Sequence, residues 1–206
     1  ADDDHMNGGG GGAGGFIESQ RSLTPGSTAS LQVGAGGTGL TRPGLNSTIA
    51  PSKGGNSTFL DLTAIGGGAG GYMRVISSVV AASSGGSGGG GGAQASSAYP
   101  TSGASGTSGQ GNSGGNGFTW NGSYQGSGGG GGAGGAGSSS ISSLRKSGNG
   151  GPGKATTLLD SDALTGLDLF TGSTARVLSS GNVLLAAGGG GGQRAYANTT
   201  AGLGGT

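Results

Sequence analysis

What most limits the folds open to this chain is a set of small-residue runs: 8–15 (GGGGGAGG), 66–71 (GGGAGG), 88–92 (GGGGG), 128–137 (GGGGGAGGAG) and 188–192 (GGGGG). Five glycines in a row cost an α-helix roughly 5 kcal/mol relative to alanine, and glycine is depleted in strands. Ordering each glycine backbone costs about 1–2 kcal/mol. Such a run therefore stays disordered unless many interactions order it together. A left-handed helix of three residues per turn supplies them. It rises about 3.1 Å per residue and turns every N–H and C=O outward. Where side chains are hydrogen or methyl, such helices approach closely enough to bond laterally, at about 1 kcal/mol net per bond.

Glycine makes up 59 of the 206 residues, 8% are charged, 4% are aromatic, and the net charge is +1. Sparse large apolar residues normally signal disorder, but that reading also needs a high net charge. Backbone is left as the main building material. With no cysteine, disulfides and thiolate metal sites are excluded. No run of 18 apolar residues exists, so no transmembrane helix and no membrane insertion are expected. The N-terminus lacks a basic-then-apolar leader. Basic residues are few and scattered, without the footprint of a nucleic-acid binder. ADDDHM at the start reads equally as a remnant of expression or as the end of a processed chain.

Between the runs lie segments rich in Val, Ile, Leu, Thr and Phe: 16–23, 27–33, 57–65, 72–80, 155–160 and 174–187. Their near-period-two patterning predicts strands. Pro25–Gly26 predicts a turn joining the first two as a hairpin. Residues 40–56 and 93–127 read as long polar connections, and a helix is plausible only around 158–170. The expected fold is irregular and mainly β: a bundle of polyglycine II helices with short flanking β-strands, long polar loops and little or no α-helix. Residues 1–7 read as an extension, 8–137 as the glycine-helix domain, and 138–206 as its continuation, ending in a final glycine run.

The order of motifs carries a resemblance. GGGGGAGGF, then LTPGSTASLQVGAGGTG, then GGNSTFLDLTAIGGGAGG resembles the glycine-rich domain of bacteriophage tail proteins, including tail-tip and tail-fibre adhesins. The matching positions are 8–15, 24–26, 33–37, 54–57 and 63–71. Residues 85–137 and 186–206 share only the glycine-run character, and the family's opening strand is replaced by ADDDHMN. The resemblance implies a structural virion protein of the tail, outside the cell. Its implied partners are other virion subunits, further copies of itself, and a bacterial surface receptor or glycan met through the loops. An extracellular or ice-binding protein built from the same helix is the alternative, although a G-x-x repeat appears only at 103–109.

Enzyme-like motifs are weak by comparison. Gly34, Gly36 and Gly39 match G-x-G-x-x-G, but the following LTRPGLNSTIAPS holds two prolines and no helical period, and such a site needs a helix N-terminus. Gly148, Gly153 and Lys154 fit a phosphate loop, yet Ala155 stands where Ser or Thr should hold magnesium. Asp160, Asp162 and Asp168 are spaced wrongly for a calcium loop. Asp2, Asp3, Asp4 and His5 read as a solvated end, and His5 is the only histidine. Asn46, Asn56, Asn121 and Asn198 head N-x-S/T sequons that in a phage protein mean only turn chemistry. No catalytic group, cofactor or metal site is expected, and the chain does not read as an enzyme. The candidates for partner or receptor contact are Tyr99, Phe118, Trp120 and Tyr124, aromatic faces set among Asn and Gln donors.

Overall fold

The computed structural model describes residues 7–39, 41–44, 47–75, 78–93, 101–120, 124–160, 176–177, 182–191 and 200–206. Among these there is no helix. The strands are short and all pair antiparallel. β1 (Leu31–Gln32), β4 (Ser57–Phe59) and β5 (Leu62–Ala64) form one three-stranded sheet in the order β1-β4-β5. β10 (Lys154–Asp160), β11 (Arg176–Val177) and β12 (Asn182–Leu185) form another, in the order β10-β12-β11. Three two-stranded ribbons complete the set: β2 (Thr41–Gly44) with β3 (Ser47–Ile49), β6 (Tyr72–Val75) with β7 (Ser78–Val80), and β8 (Phe118–Trp120) with β9 (Tyr124–Gly126).

Most of the described residues are neither helix nor strand, yet many of their backbone groups are paired. The N–H groups of Gly9, Gly12 and Gly15 donate to the carbonyls of Gly71, Gly68 and Ile65, so donors three apart meet acceptors three apart on an antiparallel neighbour (2.7–2.9 Å). The same step recurs from Gly111, Gly114 and Gly117 to Thr107, Ala104 and Thr101 (2.9–3.0 Å), and in parallel from Gly150 and Gly153 to Leu203 and Thr206 (2.8 and 3.2 Å).

Residues 127–133 lie at the centre. Gly128 and Gly131 donate to Gly91 and Gly88, Gly129 and Gly132 to Ser138 and Gly135, and Gly130 and Ala133 to Gly189 and Ala186. Between these three directions come three more neighbours that donate to it. They are Gly10 and Ala13, Asn112 and Gly115, and Gly148 and Gly151. Successive residues thus address successive neighbours, and the segment is enclosed by its own kind. The three buried apolar residues among those described are Ala13, Tyr72 and Ala93. The core is made of backbone, which satisfies the requirement that buried N–H and C=O groups find partners.

Glycine is needed here for close approach rather than for unusual dihedrals. Only Gly26 (φ 82°) and Gly109 (φ 78°) among the described glycines adopt left-handed φ, and neither sits inside a run. Where a Cβ would project, a carbonyl oxygen of another segment usually stands. Gly90 points at Gly128, Gly114 at Gly89 and Gly151 at Gly135. The Hα in that place faces the oxygen, a weak Cα–H···O contact that adds to the N–H···O network.

Several expectations need correcting. The Pro25–Gly26 turn forms, with the Ser27 N–H on the Thr24 carbonyl (3.0 Å) and Gly26 in the positive-φ position of a type II turn. It closes no hairpin, because 16–23 forms no strand and β1 pairs with β4 instead. The stretches 57–65 and 72–80 are each two strands folded back on themselves rather than one. The first reverses at Leu60 with φ 53°, which a turn lacking Gly or Pro does not announce. Residues 101–117, expected as part of a long loop, are mostly two paired runs. Ser102, Ser105 and Ser108 fall on the exposed positions, three apart, so a polar sequence still supplies an inward backbone. The strand expected at 155–160 is present as β10; beyond Asp160 the helix considered at 158–170 lies outside the described residues.

Candidate functional site

Among the described residues, the strand ribbons and sheets lie toward two ends of the paired runs. One end is fixed by Gly71 bonding Gly90, Gly91 bonding Gly115, and Gly128 bonding Gly91. From it emerge the β6–β7 ribbon and the β8–β9 ribbon, and Asn7 and Gly8 arrive beside them through bridges to Ala93 and Tyr72. At the other end, Gly15 bonds Ile65, and the β1-β4-β5 sheet follows in sequence.

Of the four candidate aromatics, three lie on the β8–β9 ribbon. Its register sets Phe118 opposite Gly126 and Trp120 opposite Tyr124, so Trp120 and Tyr124 are cross-strand partners close to the reversal. Phe118 is 39% exposed. Tyr99 lies outside the described residues. The run before it ends, and the run after it begins, at the face that carries this ribbon: Gly92 accepts the Thr101 hydroxyl proton, and Gly117 donates to the Thr101 carbonyl.

Beneath the ribbon is a buried polar pair invisible to local sequence reading. Asn7 and Gln125 are 4% and 1% exposed, and Asn7 Nδ2 donates to Gln125 Oε1 at 2.7 Å. Gln125 Nε2 and the hydroxyls of Ser127 and Ser87 are buried without a partner. The separation of Asn7 and Gln125 by 118 positions explains why no motif marks them.

At the opposite end, Arg21 grips Asp61 with two parallel hydrogen bonds, Nε to Oδ1 at 2.8 Å and Nη2 to Oδ2 at 2.9 Å. The hydrogen bond from Arg21 holds the Asp61 carboxyl below its usual range, with the positive charge a lesser cause, and the Arg21 guanidinium is raised in turn. The pair is exposed, so it fixes geometry more than it stabilises. Leu23, Leu31 and Val33 are exposed nearby in sequence.

The phosphate-binding motifs resolve into lattice. In GNGGPGK, the N–H groups of Gly148, Gly150, Gly151 and Gly153 donate to Ser127, Leu203, Gly130 and Thr206, and a strand rather than a helix begins at Lys154. The Lys154 ammonium rests 5.4 Å from the Phe16 ring centre, within reach of a cation–π contact. In GAGGTG, a carbonyl of Gly55 blocks the Cβ direction of Gly34, and the Ala35 and Thr38 carbonyls accept from Gly55 and Ser52. The strand β2, not a helix, comes next. Asp162, Asp168, Asp2, Asp3, Asp4 and His5 lie outside the described residues.

A family model described as glycine-rich domain matches residues 2–206. No curated protein and no solved structure matches the chain.

Proposed function

The chain belongs to the glycine-rich domain family, and we propose from that premise that it is a non-enzymatic structural protein of a bacteriophage virion, carried at the tail tip or in a tail fibre. Its runs are polyglycine II helices packed side by side. Support for the helix comes from the three-residue step of lateral donation, from the absence of left-handed φ among the described residues of the runs, and from carbonyls lodged where Cβ atoms would project. The observation that carries the functional reading is that the core is backbone. Such an interior offers rigidity and no reactive side chains, so specificity is left to connections projecting from a stiff frame.

The ordered TPG, VGAGG and GGNS motifs favour the tail role. The β8–β9 ribbon, with Phe118, Trp120 and Tyr124, and the segment holding Tyr99 then meet a partner: another virion subunit, a further copy of the chain, or a bacterial surface receptor or glycan. Immunogold electron microscopy of the phage particles tests this. Label at the tail tip or fibre is expected; label confined to the capsid, or a particle lacking the chain, contradicts it.

The second reading, an ice-binding or extracellular structural protein, draws on the exposed Ser102, Ser105 and Ser108 in a row. Measured thermal hysteresis would favour it over the virion role.

A further inference from the structure

A cleft of about 480 Å³ runs between residues 8–14, residues 66–72 and the paired segments 35–39 and 51–55. Its walls are almost bare of side chains and carry no ionic group. Several backbone groups of the runs that face it are unpaired among the described residues. In 8–15, Gly9, Gly10, Gly12, Ala13 and Gly15 all donate, but the N–H groups of Gly11 and Gly14 do not. In 66–71, Gly68 and Gly71 donate to backbone, while those of Gly67 and Gly70 do not. The carbonyls of Gly9 and Gly12 accept no N–H from the described residues. All six of these glycines line the cleft, and within each set the members are three apart.

Some donors at the edges of the runs are capped by side chains, two of them within 66–71 itself. Asn56 Oδ1 accepts from Gly66, Ser83 Oγ from Ala69, Asn116 Oδ1 from Gly103, and Asn149 Oδ1 from Leu203, at 2.8–3.1 Å. Among the described residues, no side chain caps Gly11, Gly14, Gly67 or Gly70. The unpaired groups keep the three-residue step that the paired runs use, and they include both donors and acceptors.

We propose that the cleft is a vacant lattice position that takes one extended segment of glycine, alanine or serine from another polypeptide. The inference rests on the polyglycine II reading above. Such a segment presents outward N–H and C=O groups at the same three-residue step, so it pairs with Gly67, Gly70, Gly9 and Gly12 as the internal runs pair with each other. Larger side chains are excluded because the walls are backbone. The uncharged lining favours a neutral segment over an ionic ligand. The binding is β-augmentation in another geometry: main-chain bonds give affinity, and the narrow wall gives specificity.

The probe is a fluorescein-labelled octapeptide GGGGGAGG, the sequence of residues 8–15, titrated into the full chain by anisotropy and by amide hydrogen exchange. Saturable binding is expected, with exchange at Gly67 and Gly70 slowed on adding peptide and exchange at Gly68 and Gly71 slow throughout. Gly36→Phe adds a ring to a residue of the cleft wall, and Gly36 has open space where its Cβ would go. It should weaken binding by about tenfold or more, equivalent to about 1.4 kcal/mol. Gly204→Phe, also open but outside the cleft, should not. Absence of saturable binding, or binding that leaves Gly67 and Gly70 unchanged, overturns the proposal. If Gly36→Phe does not fold, the exchange of Gly67 and Gly70 in the unaltered chain decides alone. Slow Gly68 and Gly71 with no peptide binding refutes the vacancy and leaves the lattice standing. Fast exchange at all four refutes the lattice itself.

Discussion

The carbonyl oxygen of Gly11 stands where a Cβ on Gly130 would be. The two residues are 119 positions apart in sequence, yet Gly130 can carry no side chain because Gly11 stands in the way. Gly130 also donates to Gly189 and accepts from Gly151, so it is held in three directions at once.

Gly130→Ala should therefore destabilise the chain although alanine is the mildest of substitutions, and Gly130→Val more so. Overpacking of this kind costs about 1–3 kcal/mol or more. Gly14→Ala is the control, since Gly14 is exposed with nothing within 4 Å of its Cβ position. It should be neutral or stabilising by about 0.4–1 kcal/mol through the unfolded state. Thermal unfolding of the three variants separates the cases; equal melting points would show that the runs do not pack as described.

Asn7→Ala should cost about 1–3 kcal/mol, because it strips Gln125 Oε1 of its partner inside a buried site. Denaturant unfolding measures it. A loss no larger than that of an exposed substitution would mean that Asn7 does not seal the ribbon end.

Asp61 should titrate below an ordinary aspartate, and Arg21→Gln should move it back up. A carboxyl whose folded pKa is depressed contributes stability above its unfolded pKa and loses it as the pH falls through the folded one. The window thus lies at and below the usual carboxylate range. Because the pair is exposed, the effect on global unfolding should be slight. A carbon-detected NMR titration of Asp61 in both proteins checks this; identical midpoints contradict the pairing.

Tyr99→Ala combined with Tyr124→Ala should leave the melting temperature nearly unchanged while weakening attachment to the partner, since the lattice does not depend on the ribbon tip. Attachment of particles carrying the double variant, measured beside its melting curve, tests both halves. Unchanged attachment would remove these tyrosines from the contact.

The runs, and the lack of a helix after GAGGTG and GNGGPG, were legible in the sequence, because glycine's cost in a helix and the two prolines after GAGGTG do not depend on context. The pairing partners were not. Glycine carries no side-chain address, so nothing local says that Gly130 meets Gly11 or that 101–117 folds into two runs. Asn7 with Gln125 and Arg21 with Asp61 are likewise products of the three-dimensional arrangement. The hairpins at 57–64 and 72–80 were hidden for a different reason: their reversals lack the glycine or proline that usually marks a turn.

The pattern of amide hydrogen exchange across two runs tests the central claim most directly. In a three-residue-per-turn lattice the enclosed run 128–133 should be protected at every amide. The run 8–15 at the cleft should alternate in threes, with Gly11 and Gly14 fast and Gly9, Gly10, Gly12, Ala13 and Gly15 slow. A period of two in 8–15 would indicate a strand, and uniformly fast exchange in 128–133 would show that the glycine runs are linkers, either of which contradicts the account.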